Sequence, residues 1–318
     1  MKGKNGFSII TPVFNRSDCI RRCVESVVKQ QYDNLEYWIV DDGSTDNTSA
    51  IIESYAQQYS YIHFHKFDKN QGVNAARNYA IQRASGDFIL FLDSDDYLVE
   101  NALESIDQTI LARPDYQHYL FAQDDRMKYY NQNNLLKTQN QELVFADFLT
   151  GKVSGDFLQV ISTSLLQLFP FTESIRTYEG VTFLQIYKAG EKQYFTKHVL
   201  VKRERGRSDS VSKEYHLKNK AALYNQYISL KETLSLFEED YKQLQNENIL
   251  SDLIKRIFIL GLALGNYREN QSIKDKLITL RIQLPVLIRL IDQFHLDFLL
   301  RNTIFTYSFI KNNIFKNK

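Results

Sequence analysis

In the stretch FILFLDSDD, residues 88–96, five apolar residues are followed directly by the acidic sequence DSDD. A short unbroken apolar run is typical of a central strand in a parallel sheet, since such a strand is covered on both faces. Ligands of open α/β sheets bind where these strands end. The stretch therefore predicts a buried strand that delivers the carboxylates of Asp93, Asp95 and Asp96 to a binding edge.

Asp93 and Asp95 form a candidate metal site. They stand two apart, so in extended chain their side chains point the same way and can converge on one cation. Carboxylate oxygens are the ligands that Mg²⁺ and Mn²⁺ prefer. For an isolated Asp-x-Asp the alternative is an acidic turn that caps the next helix.

Strand and helix patterns alternate through the first 113 residues. Apolar runs predict strands at residues 7–13, 35–40, 61–65 and 88–92. Apolar stripes at helical spacing predict helices between them. This order implies an α/β fold with a mainly parallel, Rossmann-like sheet and helices on both faces.

The pattern changes after Pro114. Short candidate strands follow at Tyr116–Ala122, Val160–Leu168 and Lys197–Lys202, and from about Tyr215 helical spacing prevails. We therefore expect a first domain over residues 1–211, with a nucleotide-binding half (1–113) and an acceptor half (114–211), and then a helical C-terminal region over residues 212–318.

Composition excludes several classes of protein. The 318 residues carry a formal net charge of +1, so no global field attracts nucleic acid. Cys19 and Cys23 fall one helical turn apart among apolar neighbours, which indicates core residues and a reducing compartment. The N-terminus has no secretory signal pattern, and no run of about 18 apolar residues occurs. We expect a cytoplasmic protein without a spanning helix.

The turn after the first predicted strand is not a glycine-rich phosphate loop. A dinucleotide-binding protein would carry Gly-x-Gly-x-x-Gly there, and a P-loop protein Gly-x-x-x-x-Gly-Lys-Ser/Thr. This chain has FNR at residues 14–16. A bound diphosphate must then be neutralised differently, and a metal at Asp93 and Asp95 together with the cation of Arg77 can do so.

Four segments in this order and spacing resemble the GT-A-type glycosyltransferases of family 2. They are SIITPVFN at residues 8–15, DDGSTD at 41–46, NQGVNAARN at 70–78 and GDFILFLDSDD at 86–96. Each segment alone is a weak signal, whereas the four together are specific. The resemblance covers roughly residues 6–210 and implies the GT-A fold, with the C-terminal helices as an appendage.

The resemblance implies a nucleotide-sugar donor, usually with uridine. Thr11, Pro12 and Phe14 match positions that line the base pocket. Asp41 matches the family carboxylate that accepts a hydrogen bond from uracil N3–H, a contact that selects against a base without that donor. A turn acid or helix cap is the alternative for Asp41.

The resemblance also implies roles at the diphosphate. Asp95 would bind Mn²⁺ or Mg²⁺, and Asp93 would contact the ribose or a metal-bound water and share the metal site. Arg77 would orient Asp93 or touch phosphate; a solvated helix arginine is the alternative. In the later segment VKRERGRSDS, residues 201–210, the basic Arg205 and Arg207, with Ser210, match a loop that closes over donor phosphate. A solvated basic loop is equally compatible with that segment.

The reaction implied is inverting transfer of a hexosyl or N-acetylhexosaminyl group, which needs a carboxylate to take the acceptor's proton. The family usually carries a Glu-Asp pair ahead of a helix, and here the pair is Glu179-Gly180. Glu179 is therefore the candidate base, with Asp96 and Asp156 as fallbacks. A plain exposed glutamate is the alternative.

The C-terminal stretch from Leu284 to Phe315 mixes large apolar side chains with arginine and lysine and has acids only at Asp292 and Asp297. This pattern predicts either a helical lid or an interfacial helix pair that contacts a membrane. The resemblance implies the inner face of the cytoplasmic membrane, where many members of the family extend lipid-linked glycans. The implied acceptor is a glycan or polyprenyl-linked glycan in bacterial polysaccharide assembly, such as capsule or O-antigen.

Two other functions are compatible with the sequence. A sugar-phosphate nucleotidyltransferase would use the same metal fold, but it would normally carry a glycine-rich basic loop where this chain has residues 14–16. A non-catalytic member that binds nucleotide or glycan without turnover is compatible with Gly180 in the position of the usual Asp.

Overall fold

The computed structural model describes residues 4–173, 179–204, 220–244 and 247–301. Its internal contacts divide the chain into two units, Met1–Gly206 and Arg207–Lys318. The strands are β1 (Phe7–Val13), β2 (Leu35–Asp41), β3 (Ile62–Lys66), β4 (Phe88–Phe91), β5 (Tyr97–Leu98), β6 (His118–Ala122), β7 (Asn140–Val144), β8 (Leu158–Ser162), β9 (Lys192–Val199) and β10 (Val201–Lys202).

The described helices of the first unit alternate with these strands. They are α1 (Ile20–Val28), α2 (Thr48–Gln58), α3 (Val73–Ile81), α4 (Ala102–Ala112), α5 (Met127–Gln132), α6 (Phe145–Leu149), α7 (Thr163–Leu166) and α8 (Gly180–Ala189). The second unit contains α9 (Lys220–Gln243), α10 (Glu247–Leu264), α11 (Tyr267–Thr279), α12 (Val286–Phe294) and α13 (Phe298–Arg301).

An eight-stranded sheet in the order β3-β2-β1-β4-β8-β6-β9-β7 forms the centre of the first unit. Strands β1 to β4 run parallel. Strand β8 pairs antiparallel with both β4 and β6, and β7 pairs antiparallel with β9. The mainly parallel sheet is confirmed for the four strands that the β-α alternation predicted, and the strands after residue 113 make the whole sheet mixed.

Alternation along β1 sends successive side chains to opposite faces of the sheet. Ile9 packs on one face with apolar residues of α1, α2 and α4. Ile10 packs on the other face with residues of α3, α7 and α8. Both cysteines are buried, as their helical spacing predicts. The sheet is therefore covered on both faces, which explains the unbroken apolar runs of its central strands.

The predicted strand at Val160–Leu168 is wrong in its second half. Strand β8 ends at Ser162, and α7 begins at Thr163, whose amide and hydroxyl donate to the carbonyls of Asp87 and Gly86. These bonds turn the chain, and Leu165 and Leu166 are then buried from a helix. A short apolar run does not distinguish a buried strand from a buried helical turn.

Two further boundaries differ from the prediction. The candidate strand Lys197–Lys202 divides at Leu200 into the end of β9 and the two-residue β10, which pairs antiparallel with β5 in a separate small sheet. Strand β7 was not predicted, because its sequence NQELV has little apolar alternation and it lies at the edge of the main sheet. Edge strands tolerate polar side chains on both faces.

The regular elements described in the second unit are all helices. Helices α10 and α11 approach closely where Asn270 donates from Nδ2 to the carbonyl of Phe258 at 2.8 Å. A Cβ on Gly261 would come within 2.3 Å of the Asn270 amide, so this crossing requires glycine. None of the helices described is both long and apolar enough to cross a membrane.

Candidate active site

Three predicted motifs follow adjacent parallel strands at the same edge of the sheet. Phe14 follows β1, Asp41 ends β2, and Asp93 comes two residues after β4. Strand β1 lies between β2 and β4, so the motifs come together at neighbouring carboxyl ends. Ligands bind at this edge in open α/β sheets.

A buried arginine at this edge joins two acids from distant parts of the chain. Arg77 donates from Nη1 to Glu179 Oε1 and from Nη2 to Asp93 Oδ1, the latter at 3.5 Å. Its guanidinium carbon lies 5.5 Å from the ring centroid of Phe91 and 5.6 Å from that of Phe171. The structure thus brings three of the predicted site residues into one group.

The position of Arg77 follows from how α3 begins. Gly72 has a φ of 101°, which favours glycine, and its amide and that of Gln71 donate to the Asp42 carboxylate. The helix then packs its buried small residues against the sheet. Arg77 is only 8% exposed. Burial acts to lower the pKa of Arg77, but the carboxylates of Glu179 and Asp93 outweigh it and raise the pKa, so the guanidinium stays charged.

The acidic segment after β4 is a turn. The amide of Asp96 donates to the carbonyl of Asp93 at 2.9 Å. The expectation that Asp93 and Asp95 share a face of extended chain is therefore wrong, because the strand already ends at Phe91. The Asp93 side chain is 51% exposed, and Asp95 is partly buried.

The described residues contain no group of three or more His, Cys, Asp or Glu side chains arranged to hold a metal. Asp93 and Asp95 nevertheless fit Mg²⁺ or Mn²⁺ as a pair of hard oxygen donors. Sites of this kind are often completed by one or two carboxylates together with phosphate and water oxygens. The donor set is therefore compatible with a metal that binds together with a diphosphate.

Asp96 lies in a second charged group, which sequence reasoning did not identify. Arg203 Nε lies 3.7 Å from Asp96 Oδ2, and Arg203 Nη1 donates to Asp156 Oδ2 at 3.0 Å. Burial, followed by the nearby charges of Asp93 and Asp95, raises the pKa of Asp96 to about 8. Arg203 acts in the opposite direction and also holds the pKa of Asp156 below its usual value against the effect of burial.

Both fallback bases are thus paired with the same arginine. The only sequence signal for Arg203 was its place at the start of the basic segment, since ion pairs between distant residues leave no periodic pattern.

The predicted base-pocket residues differ in exposure. Thr11 is fully buried, and its hydroxyl donates to the carbonyl of Leu92 at 2.8 Å. Pro12 is also buried, whereas Phe14 is 40% exposed. Of these three residues, Phe14 therefore offers the side chain to a ligand, and Thr11 fastens β1 to the end of β4.

Asp41 is fully buried and holds the turn after β2. Its carboxylate accepts from the Ser44 amide at 2.8 Å and from the Ser49 hydroxyl at 2.5 Å. These are the bonds of a turn acid, the alternative that the sequence left open. Gly43, inside this turn, has a φ of 78°, and a Cβ there would lie 2.8 Å from the Asn70 amide nitrogen. Glycine at this position therefore allows the loop after β2 to contact the loop after β3.

Glu179 immediately precedes α8, with Gly180 as the first helical residue. The Glu179 side chain is 29% exposed, so solvent reaches the ion pair with Arg77. A Cβ on Gly180 would meet nothing within 4 Å. Arg205, Arg207 and Ser210 lie outside the described residues, so their predicted contacts are not addressed by the structure.

The sequence model of the glycosyl transferase family 2 matches residues 8–166, half of the chain. With the GT-A-like sheet and the acids at its edge, this match shows that the chain belongs to glycosyltransferase family 2. A relative from Campylobacter jejuni, GalNAc(5)-diNAcBac-PP-undecaprenol β-1,3-glucosyltransferase, is 28% identical over 290 residues, which cover 89% of this chain and 92% of the relative. The chain spans only 14% to 39% of six further curated relatives.

Solved structures share the fold. The structure of S. aureus TarS 1–349 with UDP-GlcNAc superimposes with a TM-score of 0.63 and 22% identity, covering 81% of this chain and 75% of that one. The mannosyltransferase PcManGT from Pyrobaculum calidifontis, in complex with GDP-Man and Mn²⁺, gives a TM-score of 0.56 and 15% identity, covering 99% of this chain and 86% of that one. The GT-A fold expected from the sequence is confirmed.

Proposed function

We propose that this glycosyltransferase is a metal-dependent, inverting enzyme that moves a sugar from a UDP-sugar to a hydroxyl of a growing or lipid-linked glycan. The observation that carries the proposal is the group formed by Asp93, Arg77 and Glu179. It joins an acid of the donor-binding edge to an acid at the start of α8. Inverting transfer needs a donor site and a base on opposite sides of the reacting carbon.

A UDP-sugar donor is supported by the shared fold and by the side chains at the carboxyl ends of the strands. TarS, which has this fold, is known in complex with UDP-GlcNAc. The exposed ring of Phe14 at the carboxyl end of β1 can stack on a nucleobase. Asp41 holds the turn after β2, and its predicted contact with uracil is part of the proposal. Weaker UDP binding by Asp41→Asn, measured by calorimetry, would support that contact, and unchanged binding would argue against it.

Asp95 and Asp93 are the residues that would hold Mn²⁺ or Mg²⁺. A structural relative, PcManGT, is known with GDP-Man and Mn²⁺. When bound, such a cation neutralises the charge that grows on a departing diphosphate. Both acids lie in one turn at the end of β4, so the chain can present them to the same diphosphate without rearranging the sheet.

Glu179 is the proposed base. In the transfer step the acceptor oxygen forms a bond to the anomeric carbon while the bond from that carbon to the diphosphate oxygen breaks, and the bonding pair leaves with the nucleoside diphosphate. The acceptor's hydroxyl proton passes to the Glu179 carboxylate. This carboxylate is paired with Arg77, and its partial exposure leaves it accessible to an acceptor.

A lipid-linked acceptor is supported by the Campylobacter relative, whose name specifies an undecaprenyl-linked glycan. Peripheral membrane contact is proposed through α12, where Val286, Leu287, Leu290 and Phe294 are exposed large apolar side chains. Apolar side chains of this kind bind the interface between lipid headgroups and acyl chains. Co-sedimentation with anionic vesicles, lost after deletion of the residues beyond Gln283, would support the contact, and equal sedimentation would refute it.

Incubation with a panel of nucleotide sugars and Mn²⁺ tests the proposed reaction. We expect release of nucleoside diphosphate from one or more UDP-sugars and none after chelation of the metal. Release from a GDP-sugar alone would overturn the choice of uridine. Binding of a UDP-sugar without any turnover, in the presence of glycan acceptors, would favour the non-catalytic alternative that Gly180 leaves open.

A further inference from the structure

Arg77 serves two acids with two different nitrogens. Its Nη1 contacts Glu179 and its Nη2 contacts Asp93, so one guanidinium joins the donor-binding turn to the start of α8. Glu179 and Asp93 belong to segments far apart in sequence, and Arg77 lies on a third segment, α3. We propose that Arg77 is the positioning residue that fixes the Glu179 carboxylate for proton removal and holds it in register with Asp93. This inference rests on the proposed function.

Arg77 is the fixed member of this group. Its side chain is 10% exposed, against 29% for Glu179 and 51% for Asp93. The guanidinium is held over the rings of Phe91 and Phe171, from β4 and from the segment after α7. A cation packed against two aromatic rings and mounted on a buried helix has little freedom to move. The more exposed acids are therefore aligned by the arginine, rather than the arginine by the acids.

The chemistry of the group requires arginine. A guanidinium presents several donors in one rigid plane, whereas a lysine ammonium is a compact point charge on a flexible stem. Lysine could pair with Glu179 or with Asp93, but it could not hold both in a fixed relation. A base displaced by about 1 Å can lose on the order of 100-fold in rate. The identity of residue 77 should therefore affect the rate of transfer more than the affinity for the donor.

A double-mutant cycle tests the proposal with the full chain and the UDP-sugar found active in the panel. We expect Arg77→Lys and Arg77→Met to lower kcat by roughly 10- to 100-fold, with a much smaller change in the KM for the donor. In the Glu179→Gln background, the same changes should lower kcat little further, because the carboxylate that Arg77 positions is absent. Arg83→Met, which removes an exposed arginine that stacks on Tyr79, is the matched control and should leave kcat unchanged.

The outcomes separate this inference from the proposed function. A wild-type rate in Glu179→Gln would overturn the base assignment itself. A slow Glu179→Gln enzyme whose rate falls again by the full factor on adding Arg77→Lys would overturn the positioning role alone, because independent effects multiply. Arg77→Lys keeps the charge if Arg77→Met fails to fold. A crystal structure of Arg77→Lys with the Glu179 carboxylate in its original position would also overturn the inference, without reference to turnover.

Discussion

Arg203 pairs with Asp96 across 3.7 Å, and the two side chains are 15% and 8% exposed. Arg203 follows β10, at the end of the first unit, whereas Asp96 lies in the turn after β4. The pair therefore connects the last described residues of the first unit to the acidic turn. Removal of Arg203 would leave the buried carboxyl group of Asp96, beside the proposed metal ligands, without a neighbouring guanidinium.

Arg203→Met is expected to lower the stability of the first unit by about 1 to 3 kcal/mol, because the buried Gln123 side chain and the Asp156 carboxylate lose the hydrogen bonds that Arg203 donates. Urea denaturation followed by tryptophan fluorescence, through the single Trp38 in the first unit, would measure this. Arg126→Met is the matched control, since Arg126 contacts Asp156 from a side chain that is 43% exposed. We expect the control to cost less than about 1 kcal/mol. Equal losses in both variants would contradict the assignment of a buried pair.

Asp95→Asn is expected to remove most of the Mn²⁺-dependent part of UDP binding, because an amide cannot supply the charge that a hard cation needs. The loss should be at least about tenfold in affinity. Calorimetry with UDP, with and without Mn²⁺, measures it directly. Asp115→Asn, an exposed acid in the first unit, serves as the control. An Asp95→Asn protein that binds UDP and Mn²⁺ as tightly as wild type would remove Asp95 from the metal site.

Glu179→Gln is expected to bind the donor normally and to lower kcat by roughly 10² to 10⁴, the usual contribution of a positioned base. The amide retains the size of the side chain but cannot accept the proton. Glu191→Gln changes an exposed glutamate beyond the other end of α8 and should leave the rate unchanged. If Glu179→Gln turns over at close to the wild-type rate, Asp96 and Asp156 become the next bases to test.

Gly180→Asp is expected to fold and to be more stable by about 0.5 to 1 kcal/mol, because an acid is favourable in the first turn of a helix and glycine is not. The site has room, since a Cβ there meets nothing within 4 Å. Thermal denaturation would detect the gain, which should be smaller for the uncharged Gly180→Asn. We expect the transfer rate to remain near wild type, because the proposed base, Glu179, is unchanged in this variant. A rate increase of tenfold or more would instead indicate that the second acid of the family's pair carries the proton.

His118 should make the first unit sensitive to acid. Burial lowers the pKa of His118 to about 3, although Gln159 opposes the shift. The unfolded chain, with an ordinary histidine pKa of about 6.5, therefore binds a proton between pH 6.5 and 3 that the folded chain does not. The contribution of His118 to stability is fully present above pH 6.5 and falls as the pH drops below it, by up to about 1.4 kcal/mol per pH unit.

His118→Gln should remove this part of the acid dependence, because glutamine does not titrate. Stability curves from pH 7 to pH 4.5 for both proteins would show the difference, since the other acids contribute equally to each. Parallel curves would mean that His118 is protonated in the folded state as readily as in the unfolded chain.

The sequence predicted the structure of residues 1–113 more completely than that of residues 114–211, for physical reasons. Strands β1 to β4 are buried on both faces and separated by helices, so their apolar runs and periodicities are strong local signals. The motifs at their carboxyl ends could be assigned to one edge because parallel strands bring those ends together. Asp93 and Asp95 do not lie in extended chain, because β4 ends at Phe91, before its apolar run does.

The structure after residue 113 depends on contacts between residues that are distant in sequence. The pairing of Arg77 with Glu179 and that of Arg203 with Asp156 involve side chains far apart along the chain, and no local pattern encodes such a partner. Strand β7 has few apolar residues to reveal it. Arg77 was selected as a site residue by its motif, but the acid at the start of α8 that it also holds could be assigned to it only from the folded arrangement.

The pairing of β5 with β10 joins Leu98 to Val201 and Tyr97 to Lys202. The loop between β5 and β10 runs from Leu98 to Val201, and closing it costs chain entropy. Contacts with the already folded main sheet must offset this cost, so the small sheet is expected to form late in folding. The segment that it fastens begins beside the Asp93–Asp96 turn. A newly synthesised chain should therefore pair strands β1 to β4 before the Asp93–Asp96 turn reaches its final conformation. We expect the ability to bind the proposed nucleotide sugar to appear only after β10 has paired with β5.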